Sequence, residues 1–258
     1  KLHNGILYVC GFTYSLGFPV TNGSAPNFDG LDYLDGFYTK LDNAGNILFS
    51  TYLSTNELDV INSIEIDNDE IYLVAGTGYN PFNGERKLIL FKFNDNNDLL
   101  FSKKIGLGFG APAQFPLFYK VVNGNFYVSG ICNAATYPVT NGSQFFSGGT
   151  GYFTKIDGQG SILYSSFLGK MNNILPLQFS NNKFIITAST DLASYPMTDF
   201  SVPSGNTDNV LIVKNTNGTD VYSGYIGGAD VETPVAVQVN ADDIYIAGKT
   251  FSANYPVT

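Results

Sequence analysis

The sequence predicts an all-β fold, a β-propeller of four-stranded antiparallel blades of about 60 residues each. Three observations lead there. A strand-like segment recurs with starts 65, 55, 58 and 60 residues apart, and the links between recurrences carry the same turn chemistry each time. The 258 residues include 28 Gly, 17 Tyr and 21 Phe, a balance that favours strands and turns over helix. No window carries an apolar i, i+3, i+4, i+7 pattern between caps, so almost no helix is expected.

Four units make up each period. The first is Ile6-Leu-Tyr-Val9, Ile71-Tyr-Leu-Val74, Phe126-Tyr-Val-Ser129, Phe184-Ile-Ile-Thr187 and Ile244-Tyr-Ile-Ala247. The second ends on a lysine: Phe37-Tyr-Thr-Lys40, Ile89-Leu-Phe-Lys92, Tyr152-Phe-Thr-Lys155 and Leu211-Ile-Val-Lys214. A lysine recurring at one point of one strand reads as an edge or surface device. The third unit carries Ser50, Ser102 and Ser165, each ten residues after its lysine, and Ser223, nine after Lys214. The fourth precedes the next period, as in Ile61-Asn-Ser-Ile-Glu-Ile66 and Pro234-Val-Ala-Val-Gln-Val239.

Asp42-Asn-Ala-Gly45, Asn94-Asp-Asn-Asn-Asp98, Asp157-Gly-Gln-Gly160 and Asn215-Thr-Asn-Gly218 join the lysine and serine strands. A second hairpin uses Asp67-Asn-Asp69, Asn123-Gly-Asn125, Asn181-Asn182 and Asn240-Ala-Asp-Asp243. Asn, Asp and Gly supply the left-handed or side-chain-bonded conformations that tight hairpins need. Such blades have two apolar faces and must stack on neighbours. The expected blades are 1–57, 58–111, 112–171 and 172–230, with part of a fifth at 231–258.

A further motif follows the first unit: Phe18-Pro-Val-Thr-Asn-Gly-Ser24, Tyr137-Pro-Val-Thr-Asn-Gly-Ser143, Tyr195-Pro-Met-Thr198 and Tyr255-Pro-Val-Thr258. Proline fixes φ and withholds a donor where no ladder partner is needed, and Asn-Gly turns the chain. The motif reads as a corner used once per blade, with its aromatic packed on the adjacent blade. The second period departs from it at Gly76-Thr-Gly-Tyr-Asn-Pro81.

The order Ile-Tyr-Xaa-Xaa-Gly-Xaa-Thr, aromatic-Pro-Val-Thr-Asn-Gly, Phe-Tyr-Thr-Lys-Leu-Asp and Leu-Phe-Ser-Thr-Tyr-Leu resembles the bacterial β-propeller repeats called SBBP, through essentially the whole chain. That resemblance implies an exported or surface protein of a bacterium, carrying further domains. Residues 6–21 and 243–258 align without gaps at an offset of 237. A ring completed from both termini would not repeat that strand, so the expectation is part of a longer chain with more than five blades.

Charge excludes several partners. The formal net charge is −9 and the 13 Lys and Arg are scattered, which disfavours nucleic acid and anionic membranes. No apolar run reaches the ~20 residues of a spanning helix. Cys10 and Cys132 read as small buried residues, a single bridge remaining open. His3 is the sole histidine, so triads built on His are absent.

No catalytic residue and no cofactor is assigned. Asp29, Asp32 and Asp35 stand three apart in a Gly-containing loop and are the candidates for Ca²⁺, against a solvated loop. Asn94–Asp98 looks metal-like but occupies a hairpin position. Phe28, Tyr33, Phe145, Phe146 and Phe200 are the candidates for stacking on a ligand, against stapling loops to the sheets. The leading expectation is a non-enzymatic module of a secreted or cell-surface protein, a rigid scaffold or adhesion surface with a protein or polysaccharide partner. A carbohydrate-binding propeller is the alternative. A glycoside hydrolase is the third reading, to be judged by whether two carboxylates meet.

Overall fold

The structure, a computed structural model, describes residues 1–15, 17–21, 35–53, 59–77, 86–109, 118–132, 137–143, 149–191, 195, 197–199 and 206–256. Among them all regular structure is β, and every pairing between strands is antiparallel. The chain divides into two compact units, Lys1–Ala111 and Pro112–Thr258.

The first unit holds two four-stranded sheets. The first sheet is β1 (Leu2–His3), β2 (Ile6–Thr13), β3 (Asp35–Leu41) and β4 (Ile47–Leu53), hydrogen-bonded in chain order. The second is β5 (Asp59–Asp67), β6 (Glu70–Thr77), β7 (Arg86–Phe93) and β8 (Leu99–Phe109), in the same order. Tyr8, Tyr38, Leu53, Ile61, Ile71 and Leu73 belong to one buried cluster drawn from both sheets.

The second unit holds three sheets. The third sheet is β9 (Phe118–Val122), β10 (Asn125–Cys132), β11 (Thr150–Ile156) and β12 (Ile162–Lys170). In the fourth, β13 (Asn173–Ile174) and β14 (Gln178–Ser180) both pair with β15 (Lys183–Thr190), followed by β16 (Asp208–Asn215) and β17 (Asp220–Ile226). The expected single strand before β15 is split because Pro176 has no N–H for the ladder. The fifth sheet is β18 (Glu232–Asn240) paired with β19 (Asp243–Thr250).

Period-2 alternation decides what each strand buries. Tyr127 and Phe153 of the third sheet pack on Phe184 of the fourth, ring centroids 4.2 and 5.5 Å away, with Ile186, Val210 and Ile212 around them. The intervening residues of the fourth sheet, Ile185 and Val213, turn the other way and join Val237, Val239, Ile244 and Ile246 of the fifth.

The turns are as their residues dictate. Asn4-Gly5, Asn68-Asp69, Asn123-Gly124 and Asn181-Asn182 each place two successive residues at positive φ, as a two-residue type I′ hairpin demands. At the other hairpins a side chain organises the loop. Asp42 Oδ1 accepts from the N–H of Ala44 (2.9 Å) and Asn46 (2.8 Å), and Asp157 Oδ1 from Gln159 (2.9 Å) and Ser161 (2.7 Å). Asn94 does the same for Asp98 N–H (2.9 Å), so the metal-like Asn94–Asp98 run is a turn.

The Pro-Val-Thr motif is a clasp across its own sheet. In the third sheet Thr140 Oγ1 accepts from Ser165 N–H (2.8 Å) and donates to Ser165 O (3.0 Å), while Thr140 N–H donates to Ser165 O (2.9 Å). Thr21 repeats this on Ser50, with 3.0, 3.3 and 2.9 Å, and Thr198 on Ser223, with 2.8, 3.2 and 3.0 Å. The chain leaving the second strand therefore crosses the sheet and satisfies both backbone groups of one residue on the outermost strand. Ser50, Ser165 and Ser223 are buried beneath the clasp, whereas Ser102 in the second sheet, whose period lacks the motif, is exposed. The expectation that the aromatic packs on an adjacent sheet is corrected in two sheets: Phe18 lies on Phe37 (4.5 Å) and Tyr52 (5.6 Å), and Tyr137 on Tyr152 (4.4 Å) and Phe167 (6.0 Å), all within the same sheet. Tyr195 packs against the buried cluster that the third and fourth sheets share.

Replacing Thr140 by Val keeps the shape and leaves Ser165 N–H without its acceptor. Thr140→Val is expected to destabilise the second unit by about 1–3 kcal/mol, and Thr140→Ser by clearly less. Urea unfolding of the two variants, with amide exchange at Ser165, checks this.

Candidate functional site

The recurrent lysine is the first feature with chemistry to place. On three sheets it stands opposite a tyrosine of the second strand: Lys40 opposite Tyr8, Lys92 opposite Tyr72 and Lys155 opposite Tyr127. The ammonium lies 5.3, 5.4 and 5.4 Å from the ring centroid, a cation–π contact in each case. Lys40 is 3% exposed, which corrects the expectation of a surface device. Its ammonium donates to Asp95 O (2.8 Å) in the second sheet's turn, and Lys155 donates to Thr216 O (3.2 Å) in the fourth sheet's turn. Burial lowers the pKa of Lys40, and the Asp95 carboxylate partly opposes it. Lys92 is held within its own sheet by Glu70 (2.8 Å), which also accepts from Tyr72 Oη (2.7 Å).

The fourth lysine is out of register. Lys214 directly precedes the turn residue Asn215, whereas Lys40, Lys92 and Lys155 stand two before theirs. A slip of one residue turns a side chain to the opposite face. Lys214 accordingly meets Tyr195 Oη (3.0 Å), Gly218 O (3.3 Å) and the Asp220 carboxylate, and is 2% exposed. Its place is taken by Val213, opposite Ile185 in place of tyrosine.

A cleft lies beside this pair. Where the lower-numbered sheets carry a tyrosine and a lysine, the fourth presents Ile185 and Val213 to the fifth. A cavity of about 260 Å³ lies there, walled by Ile185, Leu211, Val213, Tyr222 and Ile244. Its rim is polar: Ser180 Oγ donates to Ala241 O (2.9 Å) and Asn181 Nδ2 to Asp242 Oδ1 (2.6 Å), pinning the two hairpin turns together. Lys183 completes the rim, and its ammonium has no hydrogen bond or ion pair among the described residues.

Two carboxylates do meet, elsewhere in the second unit and unannounced by the sequence. Asp208 opens β16, Glu232 opens β18, and both carboxyls crowd Gly227. Glu232 accepts from Gly228 N–H (3.0 Å) and Thr250 Oγ1 (2.6 Å). Burial pushes the Glu232 carboxyl up, and hydrogen bonds led by those from Ser252, Thr250 and Gly228 outweigh it, holding the pKa below the ordinary range. Both side chains are buried, and a Cβ on Gly227 would collide with Asp208 Oδ1. Paired carboxyls of a glycosidase stand roughly 5–10 Å apart with a sugar between them. This pair has no such room and ties three strand ends together.

The other candidates from sequence gain nothing. Asp35 is buried at the first position of β3, opposite Thr13, so it is no loop ligand; Asp29 and Asp32 lie outside the described residues. No cluster of three metal-binding side chains occurs among the described residues. Phe28, Tyr33, Phe145, Phe146 and Phe200 also lie outside them. Cys10 and Cys132 are free thiols, and burial pushes Cys10 up to about 11, which leaves it protonated at neutral pH. No helix of the described residues is long and apolar enough to cross a membrane.

The Glu70 carboxyl is pushed up by burial but pulled down further by Lys92 and Tyr72, so its folded pKa lies below the ordinary 4.5. Its contribution to stability is therefore present above pH 4.5 and lost as pH falls through the folded value. Glu70→Gln is expected to flatten the acid limb of the first unit's stability. Urea midpoints between about pH 7 and pH 3 check it.

No protein-family model matches the chain, and no curated protein matches it in sequence. Among solved structures it is similar to levansucrase from Bacillus subtilis, crystallised as a point mutant, at 14% identity over 97% of this chain and 82% of that one, with a TM-score of 0.39. That likeness transfers neither a fold nor an activity. It lends no support to the expectation of a non-enzymatic scaffold or adhesion surface, and that reading is withdrawn.

Proposed function

We propose that the four-stranded sheets are blades of a β-propeller, and that the cleft between the fourth and fifth sheets is a binding site for a partly apolar, negatively charged group. The blade reading is supported by the chain-order meander of β1–β4, β5–β8 and β9–β12, and by the resemblance of the repeat to SBBP sequences. The binding reading rests on one observation: Lys183, whose ammonium makes no hydrogen bond or ion pair among the described residues, stands at the rim of an apolar cavity, across from the Asp242 carboxylate that Asn181 holds. A volume of about 260 Å³ suits one small ring system or a few apolar side chains. Tyr222 and Leu211 offer flat and branched apolar walls, and the ammonium selects for an anion.

The fluorescent anion 1-anilinonaphthalene-8-sulfonate is the test probe. Saturable binding at one site is expected, weakened about three- to tenfold by Lys183→Ala, in line with one charge-assisted contact. Val221→Trp, which fills the cleft from an exposed position, should abolish it. A dye signal indifferent to both substitutions would overturn the assignment.

A further inference from the structure

The threonine clasp serves the outer strand of three sheets and is missing from the second. In the third sheet Thr140 takes both outward backbone groups of Ser165, and Ser143 Oγ accepts from Phe167 N–H (2.6 Å), the next outward position on β12. Thr21 and Thr198 take the same groups of Ser50 and Ser223. Ser102 holds the corresponding register on β8, opposite Phe91 as Ser165 is opposite Thr154, so its N–H and C=O also point away from the sheet. No clasp reaches them among the described residues, and Ser102 is exposed. At 11 residues β8 is also longer than β4, β12 or β17, and a long open edge is a template for another strand.

The charge on that edge has one sign. β8 carries Lys103 and Lys104 where β4 carries Thr51 and Tyr52 and β12 carries Ser166 and Phe167, all four of which are buried. Both lysines are exposed, and the residues opposite them on β7, Leu90 and Ile89, are apolar. Together β7 and β8 hold Arg86, Lys87, Lys92, Lys103 and Lys104, five of the chain's 13 basic residues, and no carboxylate; Asp95 and Asp98 lie in the turn between them. In a chain of net charge −9 this is a basic strip. Lysines here oppose a second copy of β8, which would set like charges across from each other, and favour a strand that brings carboxylates. Leu99 and Leu100, half exposed, supply apolar contact beside them. We infer that the outer edge of β8 accepts an extended acidic segment of another protein, added antiparallel with two successive carboxylates opposite Lys103 and Lys104. Main-chain hydrogen bonds at Ser102 and Lys104 supply most of the affinity, and the cross-strand ion pairs supply the choice of strand. The inference is independent of the cleft.

The probe is a labelled peptide, Thr-Val-Thr-Val-Glu-Asp-Val-Thr-Val-Thr, used with the full chain. Fluorescence anisotropy should show saturable binding, and hydrogen exchange should show new protection within 99–104 and none within the clasped strand 162–170. Ser-Ser in place of Glu-Asp should weaken binding about two- to thirtyfold, the worth of two cross-strand ion pairs, and Lys-Lys should abolish it. Lys103→Glu with Lys104→Glu in the protein should reverse the preference, so that the Lys-Lys peptide binds and the Glu-Asp peptide does not. Lys103→Ser with Lys104→Ser, a milder change, should erase the preference. N-methylation of alternate peptide residues, which removes strand donors and keeps the charge, should abolish binding.

Absence of protection at 99–104 overturns the inference, whatever the anisotropy does. Equal binding of the acidic and basic peptides overturns the choice of an acidic partner. Binding that survives N-methylation assigns the lysines to charge attraction alone, against strand addition. Protection at 99–104 that arises without peptide and grows with protein concentration assigns the edge to a second copy, also against the inference.

Discussion

A sheet's outermost strand must satisfy its backbone polar groups, and in this protein one threonine does so for one serine. Thr21, Thr140 and Thr198 give Ser50, Ser165 and Ser223 both an acceptor and a donor, at 2.8–3.3 Å throughout. A two-sided contact of this kind fixes where the chain leaving the second strand must run, and so where the third strand begins. It also buries the serine hydroxyl, which in two sheets is bonded further, by Thr39 (2.9 Å) and Thr154 (2.8 Å) on the neighbouring strand. Proline two residues before Thr21 and Thr140 suits the arrangement because its own position needs no donor. The second sheet shows the alternative: without the motif, its serine faces solvent.

Between sheets the governing choice is what stands on the face of the second and third strands. A tyrosine beneath a lysine fills that space and lets the ammonium reach a carbonyl of the next turn, as Lys40 does with Asp95 and Lys155 with Thr216. A cation so placed is desolvated but keeps a ring face and a carbonyl in exchange. One residue of slip before Asn215 moves the lysine of the fourth sheet to the other face, where the Tyr195 ring (5.6 Å) and Gly218 O (3.3 Å) of its own sheet receive it. There Lys214 also finds Asp220 and the Tyr195 hydroxyl, and Ile185 and Val213 line the apolar cleft.

Much of the fold was legible because its causes are local. Asn-Gly and Asn-Asn pairs name the hairpins they form, and the short apolar runs Ile6–Val9 and Phe126–Ser129 between them name strands, the second buried on both faces. Pro176 was visible too, although its effect, a divided strand on one edge, follows only from the ladder it interrupts. The candidate site was not legible. The repeat aligned Lys214 with its predecessors by residue type, and type conceals a shift of one. Asp208 and Glu232 are far apart in sequence with no motif between them, and only the packing of β16 against β18 brings them into contact.

By itself the sequence determined the all-β class, the four-strand period, the turn types and the sites of punctuation, because period-2 patterning and left-handed turn residues act within a few positions of the chain. Tertiary structure decided that the Thr of Pro-Val-Thr is a clasp on a serine 25 to 29 residues away, that Lys40 and Lys155 link neighbouring sheets, and that Lys92 and Lys214 are held within their own. It also decided that a lysine, two carboxylates and an apolar cleft stand where they do. Those facts depend on which face each side chain takes once strands pair, and pairing joins residues whose separation along the chain carries no signal of its own.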